Sequence, residues 1–213
     1  MSDRPLFESL EGLRGTGKST VAPMLAAARE AVLVPTVPVF YQPLRREIDM
    51  RDNIEARMSF YLSALFTAVD EIRHHLAADV PVVVESYFAR CLANHRALGA
   101  NLGVILPPDL PQPVTYQLFC TEDERQRRLA GRHKPISRWD ALGEDVVERI
   151  TTAYAQFPMR RVDTTGLEPE QVVQSILAID AEGSHCRADT EPLGAHPHLL
   201  PPVPRRAEGA RAP

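Results

Sequence analysis

The run Gly12-Leu13-Arg14-Gly15-Thr16-Gly17-Lys18-Ser19 constrains this chain more than any other feature. It has the spacing G-x-x-x-x-G-K-[ST], and it lies between an apolar segment (5–10) and a segment of helical periodicity (18–30). Glycines at a strand-to-helix turn let the backbone curl until successive N–H groups point inward. The helix that follows presents its positive end to the same point. A turn of this kind cradles phosphate. The candidate nucleotide-binding residues are therefore Gly12, Leu13, Arg14, Gly15, Thr16, Gly17, Lys18, Ser19 and Thr20. Lys18 is placed to reach β- and γ-phosphates and Ser19 to ligate Mg²⁺. The 24 basic residues include only two lysines, Lys18 and Lys134, and both fall in segments that matter below.

The remaining pattern alternates strands and helices. Strands are expected at 5–10, 31–37, 82–84, 114–120 and 160–165, and helices at 18–30, 54–78, 88–98, 122–131, 144–157 and 169–180. Residues 42–53 read as a loop with a short helix. Val82-Val83-Val84 shows no alternation, which fits a strand buried on both faces of a parallel sheet. Thr121 and Glu124 have the spacing of a capping box. The order predicts a three-layer α/β/α fold around a five-stranded parallel sheet. From Ala181 onward, six prolines and no periodicity predict a disordered tail, leaving 1–180 as one domain.

Two further groups of residues bear on chemistry. Glu85 follows the 82–84 strand, and the carboxyl edge of a parallel sheet is where ligands bind in open α/β folds. It is a candidate metal ligand with Ser19, or a base for an attacking hydroxyl. Arg125, Arg128 and Arg132 share one helix face, with Arg127, His133, Lys134 and Arg138 nearby. Arg128 and Arg132 are the candidate catalytic cations beside Lys18, since phosphoryl transfer spreads negative charge over the moving group. An irregular basic stretch at 132–142 suits a closing lid. Pairing of these arginines with Glu122, Asp123 and Glu124 on a solvated face is the competing reading.

Composition narrows the classes. No run of 18 apolar residues occurs, so no membrane span is expected. A formal net charge of -4 argues against broad nucleic-acid binding. Cys91, Cys120 and Cys186 are too scattered for a disulfide framework or a zinc site, and the N-terminus lacks a signal-peptide pattern; both point to a cytoplasmic setting.

The arrangement resembles the thymidylate kinase group of P-loop nucleotide and nucleoside kinases, over about residues 6–180. Phe7-Glu8 and Glu11 through Thr20 are similar to F-E-G-x-[DE]-G-x-G-K-[ST]-T. Ser59-Phe60-Tyr61-Leu62-Ser63-Ala64 lies where the family has L-F-Y-A-A-[DR]-R, and Glu85-Ser86-Tyr87 resembles D-R-Y. Arg138-Trp139-Asp140 and Val162-Asp163-Thr164-Thr165-Gly166 match later segments. The resemblance implies ATP and Mg²⁺ as cofactors, a nucleoside- or nucleotide-like phosphate acceptor as the small-molecule partner, and a possible homodimer through the long helix. Phe60, Leu62, Leu65 and Val69 would serve that dimer or the core, and Arg45, Arg46, Arg57, Tyr61, Tyr87 and Arg90 would shape the acceptor pocket. The departures fall on the acceptor side. Arg14 replaces a carboxylate that contacts a sugar, Ser86 replaces the D-R-Y arginine, Arg90 replaces a serine, and an arginine is missing near Ala64 unless Arg57 supplies it. A second reading is an ATP-binding switch protein with little transfer activity.

Overall fold

In a computed structural model of the chain, residues 6–132 and 135–185 are described. His133, Lys134 and the expected tail beyond 185 lie outside them. Five strands, β1 (Phe7–Glu11), β2 (Val32–Val34), β3 (Val82–Glu85), β4 (Val114–Phe119) and β5 (Arg160–Asp163), form one sheet in the order β2-β3-β1-β4-β5. Every pairing is parallel. The helices are α1 (Lys18–Arg29), α2 (Gln42–Asp49), α3 (Ile54–Ala77), α4 (Phe88–Ala97), α5 (Glu122–Ala130), α6 (Arg138–Glu144), α7 (Val147–Tyr154) and α8 (Pro169–His185).

Period-two alternation divides the core between the two faces of the sheet. Val82 and Val84 point to the side covered by α3 and α4, where Met58, Leu65, Val69, Ile72, Phe88 and Leu92 pack. Val83, Leu10, Tyr116 and Leu118 point the other way, into Val21 and Leu25 of α1 and Val172 and Ile176 of α8. Both faces of the central strands are therefore dry, which explains why Val82-Val83-Val84 carries no polar residue. Phe60, Leu65 and Val69 are spent on the chain's own core, and Leu62 packs against it.

Charge is also buried at the far end of the sheet from the glycine loop. Arg29 donates to both oxygens of Glu8, at 2.9–3.2 Å, and pairs with Asp180. Tyr116 and Arg160 also donate to Asp180, tying α1, α8 and three strands together. A broken member of such a buried set is costly.

Several local expectations need correction. The basic stretch 132–142 is not irregular throughout, because Arg138–Glu144 forms α6. Its first turn is closed by a reciprocal capping box in which the Ser137 hydroxyl accepts from the Asp140 N–H and the Asp140 carboxylate accepts from the Ser137 N–H. The 144–157 helix begins only at Val147, after the turn at Asp145 and Val146. At α5 only half of the expected box forms. Thr121 caps the Glu124 N–H, but Glu124 turns to Arg127 and Arg128 instead of reaching back. The last helix runs to His185, five residues past the expected stop at Asp180.

Candidate functional site

The glycine loop joins the carboxyl end of β1 to α1, at the middle of the sheet. Three of its glycines take positive φ: Gly12 at 133°, Gly15 at 95° and Gly17 at 98°. A β-carbon on Gly12 would lie 2.2 Å from the Leu118 carbonyl oxygen, and one on Gly15 would lie 2.9 Å from Arg125 Cγ. The backbone here thus runs too close to its neighbours for any side chain at those two positions, leaving a cradle lined by main chain at the N-terminus of a twelve-residue helix. That donor set and its positive end suit phosphate oxygens.

Lys18 is buried, and its ammonium donates to the Gly12 and Leu13 carbonyls at 2.8 and 2.7 Å. Burial pushes its pKa well below the ordinary lysine range; Arg90 and Arg132 add to that, while Glu85 and Glu11 oppose it. Lys18 of α1 thus feels charges from α4, from the residue two past α5, from β3 and from β1. Ser19 and Thr20 are exposed in the first turn of α1, and Glu85 is half-buried at the end of β3. Among the described residues no three His, Cys, Asp or Glu side chains cluster to hold a metal. A cation here would need oxygen ligands from bound phosphates in addition to any that Ser19 and Glu85 supply.

The predicted arginines part company. Arg132 is exposed and faces Lys18 electrostatically. Arg128 lies beside Gly17, but its donors are taken: Nε by Glu124 and the terminal nitrogens by the Thr164 hydroxyl and the Thr164 and Leu167 carbonyls. It braces α5 to the segment after β5. Arg125 is buried between Glu122 and Glu144 and also donates to the Arg14 carbonyl. Arg125, Arg127 and Arg128 all pair with acids of the first turn of α5, as the competing reading expects, but of the three only Arg127 does so on an exposed face.

Beside the loop opens a cavity of about 800 Å³, lined among others by Glu85, Arg90, Asn94, Tyr61, Arg57 and Trp139. Its wall carries Arg45, Arg57, Tyr61, Tyr87 and Arg90, as expected for the acceptor pocket, though not Arg46, and Asp49, which the sequence did not single out, joins three of them in a network. Asp49 accepts from Arg57 Nε at 2.9 Å and from the Tyr61 hydroxyl at 3.1 Å, and lies 3.5 Å from Arg45. The Arg57 guanidinium sits 4.7 Å from both the Tyr61 and Trp139 rings. Trp139 in turn donates its indole N–H to the Asp49 carbonyl at 2.8 Å. Ala64 is sealed in the core, so the cavity arginine from α3 is Arg57. Arg14 pairs with Asp140 of α6 at 3.4 Å, and Glu144 of the same helix holds Arg125. Helix α6 is thereby strapped from the glycine loop across to α2.

His95 completes the network. Its Nδ1 lies 2.7 Å from the Cys91 carbonyl and its Nε2 lies 2.8 Å from Arg57. These partners fix the neutral ring with its proton on Nδ1. Burial first, then the Arg57 charge, lowers its pKa to about 4. The Glu11 carboxyl moves the other way, pushed up to about 7 by burial. The two have opposite pH signatures. A depressed histidine gives stability that is complete above about pH 6.5 and lost as pH falls through about 4. A raised carboxyl gives stability present below about pH 4.5 and lost as pH rises through about 7. Removing the histidine should expose this. Relative to the wild type, His95→Gln is expected to gain about 3 kcal/mol on going from pH 7 to pH 4, read from urea denaturation at both values. A difference that does not change with pH would contradict the buried neutral ring.

Comparison with protein-family models gives no match, and comparison with curated sequences gives none. Comparison of structures does. Thymidylate kinase from Candida albicans, whose structure is described as revealing the origin of broad substrate specificity and a novel structural element, superposes with a TM-score of 0.64 at 16% identity. The match covers 86% of this chain and 94% of that one. The chain has a thymidylate kinase-like P-loop fold. Its all-parallel five-stranded sheet, with eight α-helices among the described residues, agrees with that fold. Among the described residues no helix is long and apolar enough to cross a membrane.

Proposed function

We propose that the chain is an ATP-dependent kinase that passes a phosphoryl group to a nucleoside- or nucleotide-like acceptor held in the cavity beside the glycine loop. The observation that carries this reading is the juxtaposition of two sites. A side-chain-free phosphate cradle with a buried lysine opens next to an 800 Å³ cavity whose near end carries Glu85 and Arg90. Gly12 to Thr20 would hold the ATP phosphates, and Lys18 would bridge β- and γ-oxygens. Mg²⁺, held by the phosphates with Ser19 and Glu85, would neutralise charge on the transferring group. Arg132 and Arg90 would add positive charge near Lys18, and Arg128 would keep the loop's flank in place. Glu85 would also stand where an acceptor hydroxyl gives up its proton. A cytoplasmic location and a homodimer remain part of the proposal.

The departures from the family favour an acceptor other than thymidine monophosphate. Arg14 is committed to Asp140, Arg57 to Asp49 and His95, and Ser86 stands where an arginine would be. That commitment of the cavity arginines also keeps alive a second reading, an ATP-binding switch with little transfer.

The test is ADP release from MgATP with and without a panel of nucleosides and monophosphates. Acceptor-dependent release supports the kinase, and binding without acceptor-dependent turnover supports the switch. In the same assay Glu85→Gln is expected to lose at least about 100-fold in rate with ATP affinity little changed. Equal rates in both proteins would make Glu85 an ordinary acid at a strand end.

A further inference from the structure

Glu11 is the last residue of β1, directly before Gly12, and is completely buried. One carboxylate oxygen, Oε1, accepts the Tyr87 N–H at 2.6 Å and the Ser9 hydroxyl at 3.2 Å. The other, Oε2, has no hydrogen-bond partner among the described residues. A carboxylate so placed costs stability, and a leucine or methionine would fill the space without that cost. Its charged and polar neighbours come from three helices: Lys18 of α1, Arg90 of α4 and Tyr154 of α7. It does not line the cavity.

What Glu11 holds is the junction between β3 and α4. The Ser86 N–H still donates to the Leu10 carbonyl as the sheet ends, at 3.0 Å. Ser86 itself then takes φ 73°, a left-handed conformation that a serine adopts only under constraint. The next amide, that of Tyr87, turns into Glu11 and sets the start of α4, for which Tyr87 is the capping residue. On either side of this strained residue stand Glu85 and Arg90, the two groups of the cavity that face Lys18 electrostatically.

We propose that Glu11 is a positioning residue for phosphoryl transfer, holding the Tyr87 amide so that the strained junction at Ser86 aims Glu85 and Arg90 at the phosphates. The proposal rests on the kinase reading above for its catalytic consequence. It makes Glu11 the tie between the donor half of the site, which follows it in sequence, and the acceptor half, which it reaches across the sheet.

Two near-isosteric variants separate this role from simple space filling. Glu11→Gln keeps an oxygen acceptor for Tyr87, and Glu11→Met keeps the volume but has no acceptor. The expected result is that Glu11→Gln retains kcat within about fivefold, while Glu11→Met loses about 100-fold in kcat with MgATP affinity within about threefold by calorimetry. Amide exchange at Tyr87 should quicken in Glu11→Met alone, with melting temperatures confirming that both variants fold. Equal kcat in all three proteins overturns the proposal, as does a Glu11→Gln variant that falls as far as Glu11→Met. If the wild type transfers phosphate to no acceptor, the kinase reading fails, and the exchange measurement still judges the tie: unchanged Tyr87 protection in Glu11→Met overturns it.

Discussion

Lys18→Ala is expected to cut phosphoryl transfer by at least about 100-fold while leaving the fold standing. The lysine ammonium is the one described cation seated inside the glycine cradle, where it satisfies the Gly12 and Leu13 carbonyls at 2.8 and 2.7 Å. Bound phosphates would offer it a far better partner than two neutral carbonyls, and the interaction strengthens as charge builds on the transferring group. Loss of a preorganised donor of this kind lowers rates by about 10²–10³-fold, and the substitution also weakens ATP binding. Stability should move little or rise. Burial depresses the Lys18 pKa, so the folded, ligand-free chain carries the charge at a cost. Steady-state ADP release and a thermal melt on the same preparation check both halves. Near-normal turnover would place the phosphates elsewhere.

The sheet and its helices were legible because their signals are local. The glycine spacing, the unbroken valines at 82–84 and the long periodic segment of α3 each fix an element without reference to the rest of the chain. The glycine loop and its turn into α1 were legible for the same reason. Helix α6 was not. It is seven residues long, contains Gly143 and sits in a basic stretch, and its capping box uses Asp140 where the familiar pattern has Glu or Gln. Glu11 reads as an ordinary polar residue ending a strand, because spacing says nothing of burial. The Asp49–Arg57–His95 network is assembled from α2, α3 and α4, so no window of sequence contains it. Arg14 and Asp140 meet only because α6 folds back over the loop. A shared helix face likewise says where arginines point along α5, and nothing of what they meet. Arg125 and Arg128 found carboxylates, a hydroxyl and carbonyls, and Arg132 alone of the three stayed exposed.

The largest loss of stability from a single methyl group is expected at Gly12. Two independent costs coincide there. The φ of 133° is one that L side chains rarely adopt, and a β-carbon would meet the Leu118 carbonyl oxygen at 2.2 Å. That oxygen belongs to β4, which pairs with β1 through Leu10 and Glu11, so it cannot withdraw without opening the ladder between the central strands. Gly12→Ala should therefore cost at least about 3 kcal/mol. For a chain of this size that is a fall of about 10 °C in Tm. Gly143 supplies the control. It lies inside α6 with nothing within 4 Å of where a β-carbon would go. Replacing a helical glycine by alanine stabilises by up to about 1 kcal/mol, so Gly143→Ala should melt at or slightly above the wild-type temperature. The contrast separates the geometry of the loop from a general dislike of added methyl groups. Equal melting temperatures for the two variants would mean that the backbone at Gly12 can relax away from β4, and the close approach that shapes the phosphate cradle would then not be fixed by the sheet.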